Sequence, residues 1–151
     1  MTGFGAYTTF DLIPAVRSVT GNCVDEVGCD WEAVTLCAFA QVPPAKAKVA
    51  FLVCMDESEA ATTEAAGKEC AARGGIDFSA VETCLGGAQR ASLLQEASEA
   101  FNAKLPGRTT IPHTFVNEAD VSPSYQAISS ALCKDGSAAP ACKGYAAECS
   151  V

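Results

Sequence analysis

The sequence lacks a Cys-x-x-Cys pair, although nine cysteines are distributed over its 151 residues. The smallest spacing between two of them is six residues, from Cys23 to Cys29. Reduction of a disulfide by a thioredoxin-type centre needs an attacking thiolate at a helix N-terminus and a resolving thiol two residues further on. None of the nine cysteines has that arrangement, so the sequence predicts no catalytic residue in this chain.

Other residue types are scarce, and each scarcity excludes a class of protein. His113 is the only histidine, which makes a zinc site a weak interpretation, and we predict no metal and no cofactor. Ten Lys and Arg stand against 18 Asp and Glu, and the net charge of −8 argues against binding nucleic acid. No stretch approaches the roughly 18 apolar residues of a membrane span.

The cysteines that are present indicate structural disulfides. A chain of this length buries enough surface to form a core without cross-links, so nine cysteines point to an oxidising lumen and not to the cytosol. Residues 1–7 lack the basic start and apolar run of a signal peptide, and the simplest expectation is a longer precursor. Nine is an odd number, so at least one cysteine is free or pairs outside the chain. The expected disulfide cysteines, with their pairing open, are Cys23, Cys29, Cys37, Cys54, Cys70, Cys84, Cys133, Cys142 and Cys149.

The order of elements predicts an α/β fold in a single domain over residues 1–151. The continuous apolar run at residues 48–54 is typical of a strand inside a sheet. Ser79 and Glu82 have the spacing of a capping box, which predicts a helix start at Ser79. The predicted segments are a strand at 8–16, a Cys-rich loop and short helix at 21–40, a strand at 48–54, a helical region at 57–105, a strand at 110–117, and a C-terminal helix with a stapled tail at 122–151.

The succession of these segments resembles the gamma-interferon-inducible lysosomal thiol reductase family. The resemblance extends from about residue 8 to residue 149, and each piece is weak by itself. The residues that carry it are Cys23, Cys29 and Cys37, the run from Phe51 to Met55, Cys70, the run from Val81 to Gly86, Ile111 with Pro112, Val116 with Asn117, and Cys133.

The resemblance implies a thioredoxin-like sheet with a helical, Cys-rich insertion, and reduction of protein disulfides at acidic pH in an endocytic compartment. Ile111 and Pro112 would form a cis-proline turn beside the active site, so Ile111, Pro112 and His113 are the candidate substrate groove. Alternatively, Pro112 is a plain strand-entry proline and His113 is structural.

Two departures from the family pattern count against activity. The first strand, the Cys-x-x-Cys and the active-site helix that follows it have no counterpart in this chain. The Cys-Gln-His-Gly signature of the family reads Cys-Val-Asp-Glu from Cys23, and Glu32 stands where an asparagine is expected.

A thioredoxin-like sheet without its central first strand would leave buried backbone groups unpaired, at about 1–3 kcal/mol each. Three explanations stay open: the sequence begins inside a longer protein, a second polypeptide completes the sheet, or the fold is rebuilt around the loss. The function is accordingly open between a thiol-reductase-family domain, inactive as given, and a non-catalytic disulfide-stapled accessory subunit of a larger assembly, for example one at the thylakoid membrane. A secreted Cys-rich module of unrelated fold is the third possibility.

Overall fold

The computed structural model describes residues 7–9, 11–16, 29–106, 113–134 and 138–143. The chain divides into two compact units. Leu12–Arg108 forms what we call the helical unit, whereas Met1–Asp11 and Thr109–Val151 together form the hairpin unit. The prediction of one incomplete thioredoxin-like domain stays a prediction, and each unit is described by itself.

The helical unit contains five α-helices among its described residues, joined by short connections. One of them, the helix Thr63–Gly74, carries both of the signals that predict helix ends. Thr62 caps this helix, its hydroxyl accepting a hydrogen bond from the backbone N–H of Ala65, and the helix ends at Gly75, whose φ of 66° favours glycine. The helices are α1 (Asp30–Phe39), α2 (Ala45–Glu57), α3 (Thr63–Gly74), α4 (Phe78–Gly86) and α5 (Ala88–Lys104).

The main core of this unit lies where the first four helices meet. Its centre is Phe51 of α2, which is completely buried and meets the ring of Phe39 edge to face at a centroid distance of 6.0 Å. Trp31 and Phe78 pack against the edge of the cluster. Its buried members are Val34, Cys37, Ala38, Phe51, Cys54, Met55, Ala66, Cys70, Ala71, Ile76, Val81 and Cys84.

A second apolar cluster packs α5 on the other side of α1. Leu94 and Ala97 of α5 contact Ala33 of α1, and Val16 and Cys29 complete the cluster. An ion pair between Arg90 and Asp30 also joins the two helices at their surface, with 3.1 Å between nitrogen and oxygen. Helix α1 is therefore buried from two sides, which explains why five of its ten residues are buried.

The predicted strand at residues 48–54 is wrong, because this segment lies inside α2. An apolar run of seven residues satisfies a buried strand and a buried helix equally well, and the sequence does not separate them. In the structure Phe51, Cys54 and Met55 are buried at the spacing of a helix, whereas Val53 between them is half exposed. Only one side of this segment packs against the rest of the unit, and this pattern of burial is that of a helix and not of a strand buried on both faces.

The strand predicted at residues 8–16 is not found at its described positions. Residues 8, 9 and 11–15 have no regular structure, and only Val16 forms an isolated bridge. The capping-box prediction is also wrong in its position. Helix α4 begins at Phe78, and Asp77 is its N-cap, accepting a hydrogen bond from the Ser79 N–H at 2.9 Å.

The hairpin unit contains strands β1 (Thr114–Val116) and β2 (Ala119–Val121), paired antiparallel with Thr114 opposite Val121. Asn117 and Glu118 join the strands with φ angles of 46° and 71°, as a two-residue turn of a twisted hairpin requires. Helix α6 (Tyr125–Lys134) follows, and then a 3-10 helix at Pro140–Cys142.

The strand predicted at 110–117 is confirmed at Thr114–Val116, and residues 110–112 lie outside the described residues. The helical region at 57–105, the short helix within 21–40 and the helix after residue 122 are also confirmed. The described residues are mostly helical with a small antiparallel sheet, which is compatible with an α/β fold. The thioredoxin-like sheet and the absence of its first strand stay predictions.

Candidate functional site

The predicted substrate groove is described only at His113, since Ile111 and Pro112 lie outside the described residues. His113 directly precedes β1, and its Nδ1 lies 3.0 Å from Oδ2 and 3.3 Å from Oδ1 of Asp120 on β2. A carboxylate only accepts hydrogen bonds, so the Nδ1–H of the imidazole donates. The ring also stacks near Phe115, at a centroid distance of 6.3 Å.

This arrangement holds the imidazole across the hairpin. The His113 side chain is mostly buried, and Asp120 fixes its orientation from the opposite strand. A histidine tied to its own hairpin in this way stabilises the pairing of β1 with β2, as the structural interpretation of His113 expects. The groove interpretation depends on its two neighbours and stays a prediction.

The cysteines form the most extensive set of functional side chains in the described residues. Three pairs are joined: Cys37 with Cys84, Cys54 with Cys70, and Cys133 with Cys142. Cys29 is also disulfide-bonded. Cys23 and Cys149 lie outside the described residues. The prediction of a disulfide-rich chain is therefore confirmed by these three pairs, and the disulfides indicate an oxidising environment.

Two disulfides of the helical unit each tie two helices together inside the main core. Cys37–Cys84 joins α1 to α4, with the Cα atoms 5.7 Å apart, and Cys54–Cys70 joins α2 to α3, with the Cα atoms 5.5 Å apart. All four residues are 5 % exposed or less. A reducing thiol must reach a sulfur in line with the S–S bond, so burial protects both bonds from exchange.

One cavity lies where α2 ends and α3 runs past it, with a volume of about 340 Å³. Cys54 is one of its lining residues, so the cavity adjoins the Cys54–Cys70 disulfide. Arg73 pairs with Glu69 within α3. The lining residues are Cys54, Glu57, Ser58, Glu59, Ala60, Glu69 and Arg73.

The residues that line this cavity carry an excess of negative charge. Three of its lining residues are glutamates. Arg73 is the one cation among the lining residues, and it already pairs with Glu69. Carboxylates near a sulfur disfavour a thiolate and repel an approaching anionic thiol. No sequence pattern predicts this cavity, because its carboxylates come from α2, α3 and the connection between them.

Neither a metal centre nor a membrane-crossing helix is found in the part of the chain that the structure describes. There, no group of three or more His, Cys, Asp and Glu side chains is placed to hold a metal ion. No helix among the same residues combines the length and the apolar character that a membrane crossing requires.

Comparison with protein-family models, with curated proteins and with solved structures finds no match to this chain.

Proposed function

We propose that this chain is a thiol-reductase-family domain of an oxidising lumen, with the helical unit as the Cys-rich insertion of that family. The order of the two units along the chain carries the proposal. The helical unit, Leu12–Arg108, interrupts a unit that is built from both ends of the chain. An insertion into a host domain has this connectivity, and the resemblance in sequence implies an insertion that is helical and rich in cysteine.

In this proposal the chain supplies scaffold and not the redox centre. The seven described cysteines are all disulfide-bonded, and four of them are buried in the main core. Reduction of a substrate would need a Cys-x-x-Cys supplied from outside this sequence, with its first thiolate attacking the substrate disulfide and its second releasing the product. Ile111, Pro112 and His113 are the residues proposed to face that substrate.

The test is an insulin-reduction assay at mildly acidic pH with the 151-residue chain, beside a thioredoxin-type protein as positive control. We expect no turnover by the chain, because its described cysteines are committed to structure. Turnover above the dithiol background would overturn the assignment of its cysteines as structural. Mapping that finds Cys37, Cys54, Cys70 or Cys84 free in the native protein would overturn it independently.

The second candidate is a non-catalytic accessory subunit of a larger lumenal assembly, for example at the thylakoid membrane. The observation that favours it is the protection of the disulfides, since burial opposes exchange at Cys54–Cys70. In this candidate a protein partner completes the sheet of the hairpin unit. In this candidate the other cysteines would likewise form structural disulfides.

The N-terminus and intact mass of the native protein separate the two candidates. A native mass well above 15.5 kDa, with a Cys-x-x-Cys upstream of Met1, supports the reductase. A native chain that begins near Met1 supports the subunit, and co-purification of a stoichiometric partner would then be expected.

A further inference from the structure

Helix α2 is apolar on two opposite sides, and the described residues of the helical unit cover only one of them. Phe51 faces the main core, and α3 and the Phe39 ring of α1 lie on that side. On the opposite side Val49 is partly exposed and Val53 is 50 % exposed. A helix that is apolar around most of its circumference is typically buried on every side. The outward valines therefore indicate that a further surface packs on α2.

The exposed side of α2 has a regular pattern, which we call the outer stripe. It consists of Lys46, Val49, Val53 and Asp56, at steps of three, four and three residues. Residues at this spacing lie along one face of a helix. Both charged members are exposed. The stripe is symmetric in sequence about Phe51, with one valine on either side and charges of opposite sign at its two ends.

The two charges of the outer stripe stand at the ends of α2 that suit them least. Lys46 lies in the first turn, at the positive end of the helix dipole, and Asp56 lies in the last turn, at the negative end. The first turn contains no acidic residue and the last turn contains no basic one. A second α2 helix packed antiparallel reverses this, because it brings its own negative end and its own Asp56 beside Lys46.

We propose that the outer stripe is an interface between two copies of this chain, in which the α2 helices pack antiparallel about a two-fold axis that passes at the level of Phe51. In this register Lys46 of each copy faces Asp56 of the other, and Val49 of each copy faces Val53 of the other. A two-fold contact requires a surface that is complementary to itself. The order of cation, valine, valine and anion meets this requirement when the two helices run in opposite directions.

The interface is small, so the dimer should be weak and reversible. Four valines and two ion pairs give an area below the roughly 1,200 Å² of standard stable complexes, and we expect a micromolar Kd. Two chains of net charge −8 repel each other at a distance, but salt at about 0.15 M screens exposed charges that are more than about 8 Å apart. The ion pairs of the stripe act at contact distance. This inference holds for both proposed functions.

The experiment is sedimentation equilibrium of the full 151-residue oxidised chain between about 1 µM and 1 mM, at about 0.15 M salt. A non-reducing gel identifies dimers that are linked through the odd cysteine, and these are removed before the measurement. Two single variants reverse one charge of the stripe each. Lys46→Glu sets two carboxylates opposite each other in the dimer, and Asp56→Lys sets two ammonium groups opposite each other.

We expect each single variant to raise the dimer Kd about 10-fold or more, since like charges in contact oppose association. The double variant Lys46→Glu/Asp56→Lys should restore the dimer, because it exchanges the ends of the stripe without changing its symmetry. A mixture of the two single variants should form a heterodimer, in which every contact again joins opposite charges.

Two control variants change the net charge by the same amounts outside the stripe. Lys68→Glu on α3 and Glu82→Lys on α4 alter exposed positions, and each should change the Kd less than about 2-fold. Both single variants of the stripe should melt at or above the temperature of the parent, because each places its new charge favourably against the helix dipole. Their loss of association therefore does not come from unfolding.

Three results overturn the proposal. The first is a chain that stays monomeric up to the highest concentration, which would assign the outer stripe to a different partner. The second is a dimer whose Kd is the same with Lys46→Glu and Asp56→Lys, which would place the interface elsewhere on the chain. The third is failure of both the double variant and the mixture to restore association, which would remove the antiparallel register. None of these results changes the insulin-reduction outcome expected above.

Discussion

Gly67 on α3 sets how closely this helix approaches α1. A Cβ atom built on it would lie 2.6 Å from Cγ1 of Val34 and 3.3 Å from Cε2 of Phe78. Val34 is buried and its χ1 angle is stiff, so the side chain has little room to move away. The absence of a side chain at position 67 therefore allows the two helices to pack.

We expect Gly67→Ala to lower the free energy of unfolding by about 1–2 kcal/mol, since the overpacking outweighs the gain in helix propensity. Urea unfolding followed by Trp31 fluorescence measures the change, because Trp31 packs against the main core. Gly74→Ala in the same helix is the control. Its Cβ would have contacts no closer than 3.4 Å, so it should be neutral or stabilising. A stabilised Gly67→Ala protein would contradict this account of the packing.

Gly75 is required for its backbone conformation and not for close packing around it. It ends α3 at a φ of 66°, and a Cβ there would meet no atom within 4 Å. We expect Gly75→Ala to destabilise the protein by about 1 kcal/mol through backbone strain alone. Gly86→Ala, which is equally open but has no positive φ, should leave the stability unchanged. Thermal unfolding of the two variants beside the parent protein measures both effects. Equal effects of the two substitutions would show that the left-handed conformation is not the cause.

At the scale of elements, the cap at the start of α4 differs from the capping box that the sequence predicts. Asp77 accepts a hydrogen bond from the Ser79 N–H, whereas Ser79 lies inside the helix. We expect Asp77→Ala to cost about 1 kcal/mol in urea unfolding, and Asp77→Asn, which keeps a capping oxygen, to cost much less. Ser79→Ala should change little. A larger loss of stability from Ser79→Ala than from Asp77→Ala would show that Ser79 is the capping residue of α4, as the capping box predicts.

The elements differ in how far sequence alone predicted them. Glycines and prolines marked the ends of α3 and the connection before α2, because these residues restrict the backbone whatever surrounds them. The helix at residues 48–54 is not predictable from the apolar run, since the burial on one side of α2 comes from α3 and from Phe39 of α1. The site residues divide in the same way: disulfides were expected from composition, but the acidic cavity combines residues whose proximity only the fold creates.

At the scale of the whole molecule, the two disulfides of the main core differ in the length of chain they close. Cys37–Cys84 spans 47 residues and Cys54–Cys70 spans 16. The loop-closure model gives about 4 kcal/mol for the first and about 3 kcal/mol for the second. Both pairs are buried to a similar degree, so the packing lost on substitution is comparable.

We therefore expect the double variant Cys37→Ala/Cys84→Ala to be less stable than Cys54→Ala/Cys70→Ala by about 1 kcal/mol. Urea unfolding of the oxidised proteins, followed by Trp31 fluorescence, measures the difference. Equal stability, or the reverse order, would mean that the unfolded chain already retains structure between these cysteines, in which case loop length does not decide the cost.

The sequence by itself determined that this is an acidic, disulfide-rich chain whose helices begin and end near particular glycines, prolines and capping side chains. These properties follow from composition and from local backbone preferences, which act without knowledge of the fold. Only the tertiary structure decided that residues 48–54 are helical, which cysteines pair, and that Val49 and Val53 lie on the exposed side of α2. Each of these depends on segments that are distant in sequence and close in space, and spacing along the chain does not encode that proximity.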